Sequence, residues 1–441
     1  MVRSPRLRAR ALVAASVWAT ATPTGCATHS GDWSRRAAPE QLADDPPSQS
    51  EGHSEGARSE LRLFLIGDTG AARRHGEAIA ERLAARIDES EAAGVPSVLV
   101  WLGDNATPKR CDKGRGRLSQ RAQPFADLAD AHPRERGRAS VSTVGELDWR
   151  CGVAERIAAG QGQTSSGSME LADAWPQPAL NYVVRLDAQG VGKIVSRCTG
   201  VAPVCTIAPD TGQGLVELVV LDTAAWLGSV PPSSIAATDR SIAEQRALLA
   251  SLGENPPTAA LQRILVSHYP IESAGPHGQG GLYPDSALLF HDEPLQSAVL
   301  RGDFAGAISG HERSLQASSD ITPAVQRSSR LWPERPFFQV VSGAGGRGDA
   351  GAGPRSWPFY QSIALAPDNV SNYPGFAELT ITEDAFVVVL HARRLGRWEN
   401  AQTVIPRRPV PPPAERSMPG LEPCLGCDTR DPREQAIAPR P

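Results

Sequence analysis

An α/β fold follows from three observations on this 441-residue chain. Short, strongly apolar runs recur through its middle, each closing on a turn of Gly, Asp, Ser or His. Helical stripes stand between successive runs, which is the rhythm of a buried sheet with crossover helices. Gly and Pro are abundant and Met is scarce, which points to long loops rather than a helical bundle. In such sheets chemistry collects at the carboxyl ends of the strands. A chain of this length holds one large α/β domain with appendages, or two modest domains.

The first run, Leu61 to Ile66, is a strand ending at Gly67-Asp68-Thr69-Gly70. A helix follows with Ile79, Leu83 and Ile87 on one stripe, and Gly94 and Pro96 stop it. Val98 to Leu102 is the next strand and delivers Gly103-Asp104-Asn105. Leu215 to Leu221 is a strand ending in Asp222-Thr223, and a helix around Ile242 to Leu252 leads to the strand before His268. Ala305 to Ser309 leads to His311, and Phe337 to Val341 enters the turn Ser342-Gly-Ala-Gly-Gly346. Phe376 to Ile381 and Ala385 to Leu390 read as a closing hairpin. There is no internal repeat.

The ends of the chain read differently. Arg3, Arg6, Arg8 and Arg10 precede a short apolar stretch, so residues 1–25 read as a signal peptide too short to span a bilayer. Thr24-Gly25-Cys26 resembles a bacterial lipoprotein cleavage site with Cys26 lipidated, although Pro23 stands where Leu is usual. An ordinary secretory signal is the alternative. Both imply export, as an outer-membrane or cell-surface lipoprotein or else as a periplasmic or secreted protein. Residues 26–59 are polar and read as a disordered tether, residues 60–392 as the folded domain, and residues 393–441 as a Pro-rich tail. Removing residues 1–25 deletes four arginines and no acid, leaving 41 basic against 49 acidic side chains, a net of -8. That charge argues against nucleic acid as a partner.

Seven cysteines in an oxidising compartment leave one over, and lipid at Cys26 accounts for it. Cys198 and Cys205 flank a turn and are plausible disulfide partners. Cys111 and Cys151 each follow a motif loop, and a disulfide between them would tie those loops together. Cys424-Leu-Gly-Cys427 has no second CxxC to complete a zinc knuckle, so a local tail disulfide is the favoured reading over redox chemistry.

Five segments carry the chemistry: Gly67-Asp68-Thr69-Gly70, Gly103-Asp104-Asn105, Gly145-Glu146-Leu147-Asp148, Ser267-His268-Tyr269-Pro270 and Gly310-His311-Glu312-Arg313. In that order they resemble the signature of the calcineurin-like metallophosphoesterases. The variant is that of the purple acid phosphatases, whose set reads GDxG, GDxxY, GNH[DE], an apolar run ending in His, and GHxH. Leu221-Asp-Thr223, the run from His268 to Gly278, and Ser309 to Gln316 also resemble segments of bacterial secreted members. The resemblance covers residues 60–392. It implies a four-layer α/β/β/α sandwich of two mixed sheets. It also implies phosphate-ester hydrolysis on two cations that clamp the phosphoryl oxygens and activate a water.

The resemblance assigns a second metal site to Asp104, the Asn of GNH[DE], the isolated His and the first His of GHxH. Here that site keeps Asp104, His268 and His311, with Glu146 replacing Asn. Two imidazoles and two carboxylates suit Zn, Fe or Mn. The first site keeps Asp68 and Asp104, but Thr107 stands for Tyr and Arg313 for His. Arginine cannot ligate a cation. Its guanidinium either fills the vacant position and pairs with Asp68 or Asp104, or serves as a phosphate clamp. Leu147 replaces the catalytic His, which leaves Asp148 with nothing to orient. His277 either faces the pocket and offers a proton, or is a plain loop residue.

The expectation is therefore at most one metal per chain. The chain reads as an exported hydrolase scaffold with a partly lost dinuclear site, weak or inactive as a pseudoenzyme. An active mono- or dinuclear phosphoesterase with unusual ligands is the alternative, acting on a phosphate ester or another anionic small molecule.

Overall fold

The computed structural model describes residues 60–407 apart from 73–74, 106–110, 113–114, 117–122, 137, 159–176, 213, 228–229, 259–260, 275–292, 322–335, 347 and 349–366. The expected signal peptide, tether and Cys424-Cys427 tail lie outside the described residues, as do Thr107 and His277.

In chain order the strands are β1 (Leu61–Ile66), β2 (Ser97–Leu102), β3 (Cys111–Asp112), β4 (Arg115–Gly116), β5 (Ser140–Thr143), β6 (Tyr182–Leu186), β7 (Gly192–Ile194), β8 (Ser196–Thr199) and β9 (Val204–Ile207). They continue as β10 (Val216–Leu221), β11 (Gln262–Ser267), β12 (Gly306–Ser309), β13 (Leu315–Ser318), β14 (Phe338–Ser342), β15 (Asn369–Ser371), β16 (Gly375–Ile381), β17 (Ala385–Arg394) and β18 (Arg397–Pro406). The helices are α1 (Gly76–Ala92), α2 (Gln123–Arg136), α3 (Glu146–Arg150), α4 (Val153–Ala158), α5 (Thr223–Trp226), α6 (Ile235–Glu254) and α7 (Glu293–Leu300).

Two mixed sheets carry the fold. One has the order β18-β17-β16-β1-β2-β5, and the other β15-β13-β14-β12-β11-β10-β6-β7. Each has a parallel part: β1, β2 and β5 at one end of the first, and β10, β11, β12 and β14 in the middle of the second. Such strands are covered on both faces, so most of them, though not β5, read as largely apolar runs. Alternation along them divides the core. Leu61, Leu63 and Leu65 meet Val216, Leu218 and Val220 between the sheets. Phe64 and Ile66 turn the other way, toward Ile79, Leu83 and Ile87 of α1, while Val219 and Leu221 join Leu248 and Leu252 of α6. The result is an α/β protein of four layers, helix, sheet, sheet and helix.

Two details refine the expectations. The first sheet continues past residue 392, where the tail was expected to begin, because β17 and β18 pair from Ala385 through Pro406. Cys198 and Cys205 form the expected disulfide, joining β8 to β9. Cys151 is buried and also disulfide-bonded; its expected partner, Cys111, has a side chain outside those described. Among the described residues, no helix is long and apolar enough to cross a membrane.

Candidate metal centre

Seven loops leave the carboxyl ends of the parallel strands and meet along one edge. They follow β1 with Asp68, β2 with Asp104, β5 with Glu146, β10 with Asp222, β11 with His268, β12 with His311 and β14 with Gly343. Backbone bonds stitch the two sheets together there. Gly67 N–H donates to Ser342 O (2.8 Å), and Gly345 N–H donates to Gly67 O (3.1 Å). Thr143 Oγ1 donates to Leu221 O at 3.2 Å. Glycine is required where loops touch: a Cβ on Gly145 would lie 2.2 Å from Asp104 Oδ1.

Asp68, Asp104 and His311 have φ of 59°, 54° and 63°, three of the four positive values at non-glycine residues among those described. L-residues adopt this region at a cost and keep it where the surroundings demand it, most often at functional sites. Each of the three is thereby turned out of its strand direction into the shared crevice.

The donor set is compact. One ligand atom each of Glu146, His268 and His311 lies within 4.8 Å of the others. His268 is fully buried, and its Nδ1 lies 2.7 Å from Leu102 O. A carbonyl can only accept, so Nδ1 carries the proton and Nε2 presents its lone pair. That Nε2 is buried without a hydrogen-bond partner and lies 3.5 Å from Asp104 Oδ1. His311 Nδ1 lies 3.5 Å from Glu146 Oε2. A buried imidazole lone pair converging with a carboxylate and a second imidazole is a site that a cation completes. The residues fit a metal.

The Asp68 side differs. Asp68 Oδ2 is buried without a hydrogen-bond partner. Burial and the neighbouring Asp104 push the Asp68 carboxyl well above the usual carboxylate range, against the opposing pull of His268 and Arg313. Asp104 is raised too, by burial first and then by Glu146 and Asp148, while the Leu147 N–H and Arg313 lower it. The Arg313 charge thus reaches both carboxylates, but it makes no hydrogen bond to Asp68 Oδ2.

Of the expected site residues, Asp68, Asp104, Glu146, His268, His311 and Arg313 come together, and His277 lies outside the described residues. Asp148, which the sequence leaves with no imidazole to orient, has a further role: its Oδ2 accepts from Asp104 N–H and Gly145 N–H, each at 2.9 Å. It clamps two motif loops to each other. Leu147 N–H in turn donates to Asp104 Oδ1 at 2.9 Å, so this loop also holds the Asp104 carboxylate through its backbone.

Two further residues had no assigned role. Asp222 is fully buried and accepts from Trp149 Nε1 (3.0 Å) and Ser241 Oγ (2.8 Å), tying α3 to α6. Burial pushes its carboxyl up to about 6, even though these bonds lower it. Tyr269 donates from its hydroxyl to Glu146 Oε2. Its ring lies 4.0 Å from that of His311 and 5.2 Å from that of His268. Its position directly after His268 is its one mark in the sequence, and a core aromatic would read the same way there.

No family model matches the chain, and no curated protein does. Solved structures of similar trace include GAP50, the anchor in the inner membrane complex of Plasmodium. It has 14% identity and a TM-score of 0.49, with 79% of this chain and 90% of that chain covered. PhoD has 12% identity and a TM-score of 0.42, with 80% and 69% covered. Vacuolar protein sorting 29 from Cryptosporidium parvum has 9% identity and a TM-score of 0.30, with 79% and 99% covered. Likeness at this level lends no weight to an activity. The functional reading rests on the residues of the site.

Proposed function

We propose that this chain is an exported member of the calcineurin-like metallophosphoesterases, a phosphate-ester hydrolase scaffold that keeps one cation site and has lost the other. The observation that carries the reading is the contrast within the centre. Glu146, His268 and His311 converge with a free imidazole lone pair, whereas the carboxylates of Asp68 and Asp104 share their surroundings with the charge of Arg313.

A Zn, Fe or Mn ion held by His268, His311 and Glu146, with Asp104 beside them, would polarise a bound oxygen and make water more acidic. The chain's own contribution is positioning and charge. Asp148 and the Leu147 N–H fix Asp104, and Arg313 offers planar donors that suit an anionic oxygen. What the resemblance would supply and this chain lacks is the imidazole of GNH[DE], since Leu147 occupies that position. Such a loss costs about 10²–10⁴-fold in rate. The expected result is one tightly bound metal per chain, with weak or no turnover of p-nitrophenyl phosphate and bis-p-nitrophenyl phosphate. Metal content per chain measured alongside turnover checks it, and two metals with robust hydrolysis would overturn it.

The buried Asp68 Oδ2 without a partner favours a second reading. A buried carboxylate oxygen beside another carboxylate is costly unless a cation is near. In that reading a second ion binds despite Arg313, and the protein is an active phosphoesterase with unusual ligands.

The Cys198–Cys205 disulfide suits an oxidising compartment and supports export. Lipidation at Cys26 is expected to give a palmitate label that Cys26→Ser abolishes. An unlabelled wild type would leave a plain secretory signal instead.

A further inference from the structure

We propose that Tyr269 is a positioning residue whose hydroxyl holds the Glu146 carboxylate in its ligand place. The inference rests on the one-metal reading of Glu146, His268 and His311.

Glutamate is a loose ligand by itself. It brings one methylene more than the residue type the resemblance leads one to expect, and the Glu146 side chain is 21% exposed, so water competes for it. Glu146 also opens the short helix α3, where its own backbone restrains the carboxylate little. A second group has to set its direction.

Tyr269 is built for that. Its backbone is fixed from both sides: Tyr269 N–H donates to Thr223 Oγ1 at 3.1 Å, and Tyr269 O accepts from Ser267 Oγ at 2.8 Å. The side chain is buried, at 1% exposure. From this fixed base the hydroxyl donates to Glu146 Oε2, the same oxygen that lies 3.5 Å from His311 Nδ1. The ring meanwhile packs on His311 and meets the edge of His268. One rigid side chain with two torsions therefore touches all three donors, and its hydrogen bond reaches the mobile one. A hydrogen bond from a phenol also offsets part of the charge that glutamate adds. Groups that hold a ligand in this way change metal affinity about 10–100-fold when removed.

The test compares zinc affinity and the visible spectrum of the cobalt(II) form in wild type, Tyr269→Phe, Glu146→Ala and the double variant. Tyr269→Phe is expected to weaken zinc binding about 10–100-fold, to alter the cobalt spectrum and to leave the melting temperature of the metal-free protein unchanged. In the Glu146→Ala background the same change should have no effect, because Tyr269 acts through that carboxylate. Equal affinity and spectra for wild type and Tyr269→Phe would overturn the inference and leave the one-metal reading standing. An undiminished loss in the Glu146→Ala background would overturn it as well. A wild type that binds neither ion would remove both.

Discussion

Around His268 and Glu146 each donor has a neighbour that aims it. Leu102 O sets the tautomer of His268, and Tyr269 reaches Glu146. Around Asp68, in a loop of the same kind at the end of a strand in the same sheet as Leu102, the carboxylate oxygen is buried and unpartnered, and the nearby positive charge belongs to Arg313. The backbone is equally well specified in both halves, since Asp68, Asp104 and His311 share the left-handed conformation. The difference lies in the side chains alone. Strand ends and glycine contacts fix the shape of the crevice, and in the proposed reading a few side chains decide how many cations it takes.

The strongest way to break this contrast is to restore the missing side chains. Arg313→His, Leu147→His and Thr107→Tyr together should raise metal content from one to two per chain. Hydrolysis of p-nitrophenyl phosphate should rise about 10²–10⁴-fold, the span that a recovered acid–base group supplies. If Arg313 is instead a phosphate clamp, Arg313→His alone will lower whatever activity the wild type has. An unchanged metal content in the triple variant would show that the Asp68 half is closed for reasons beyond these three positions.

The contrast also marks what a sequence can carry. Central strands were legible because both faces are buried: Leu61 to Ile66 and Val216 to Leu221 are apolar at every position but one, Arg62 in the first and Glu217 in the second. Strand β5, with two of its four residues Ser, and the exposed strand β7 carry no such run. The strand β18 was hidden because six of its ten positions are polar or Pro, with Val404 among the exposed residues. In the site, Asp68, Asp104, His268 and His311 stood out because each ends an apolar run. The work of Asp148 did not stand out, since its two partners are backbone N–H groups of residues 104 and 145, one of them 44 positions away. The bond to Gly145 N–H follows the N3-to-N-cap spacing of a helix start, but the bond to Asp104 N–H joins residues far apart in the chain and leaves no pattern to read. Tyr269 shows the same limit from another side, because a buried aromatic after a strand looks like core until its hydroxyl is seen on Glu146.

A gentler probe sharpens the comparison through pH. Burial and Asp104 raise the Asp68 carboxyl well above its ordinary value. The folded, metal-free protein therefore holds that proton more firmly than the unfolded chain, which releases it near pH 4. For an acid shifted upward, unfolding releases a proton throughout the window between the two values, so stability falls as pH rises across it. Asp68→Asn removes the ionisation and with it this loss. In a chelator, the variant should melt above wild type at about pH 8, and the two should converge as pH falls toward about 4. The effect is the smallest expected here, because the Arg313 charge already relieves part of the cost and protonation of Asp68 caps the rest. Thermal melts of both proteins across that range are the measurement. Curves that stay parallel at every pH would mean that Arg313 neutralises the carboxylates fully, which would make the Asp68 half as well satisfied as the half that holds His268.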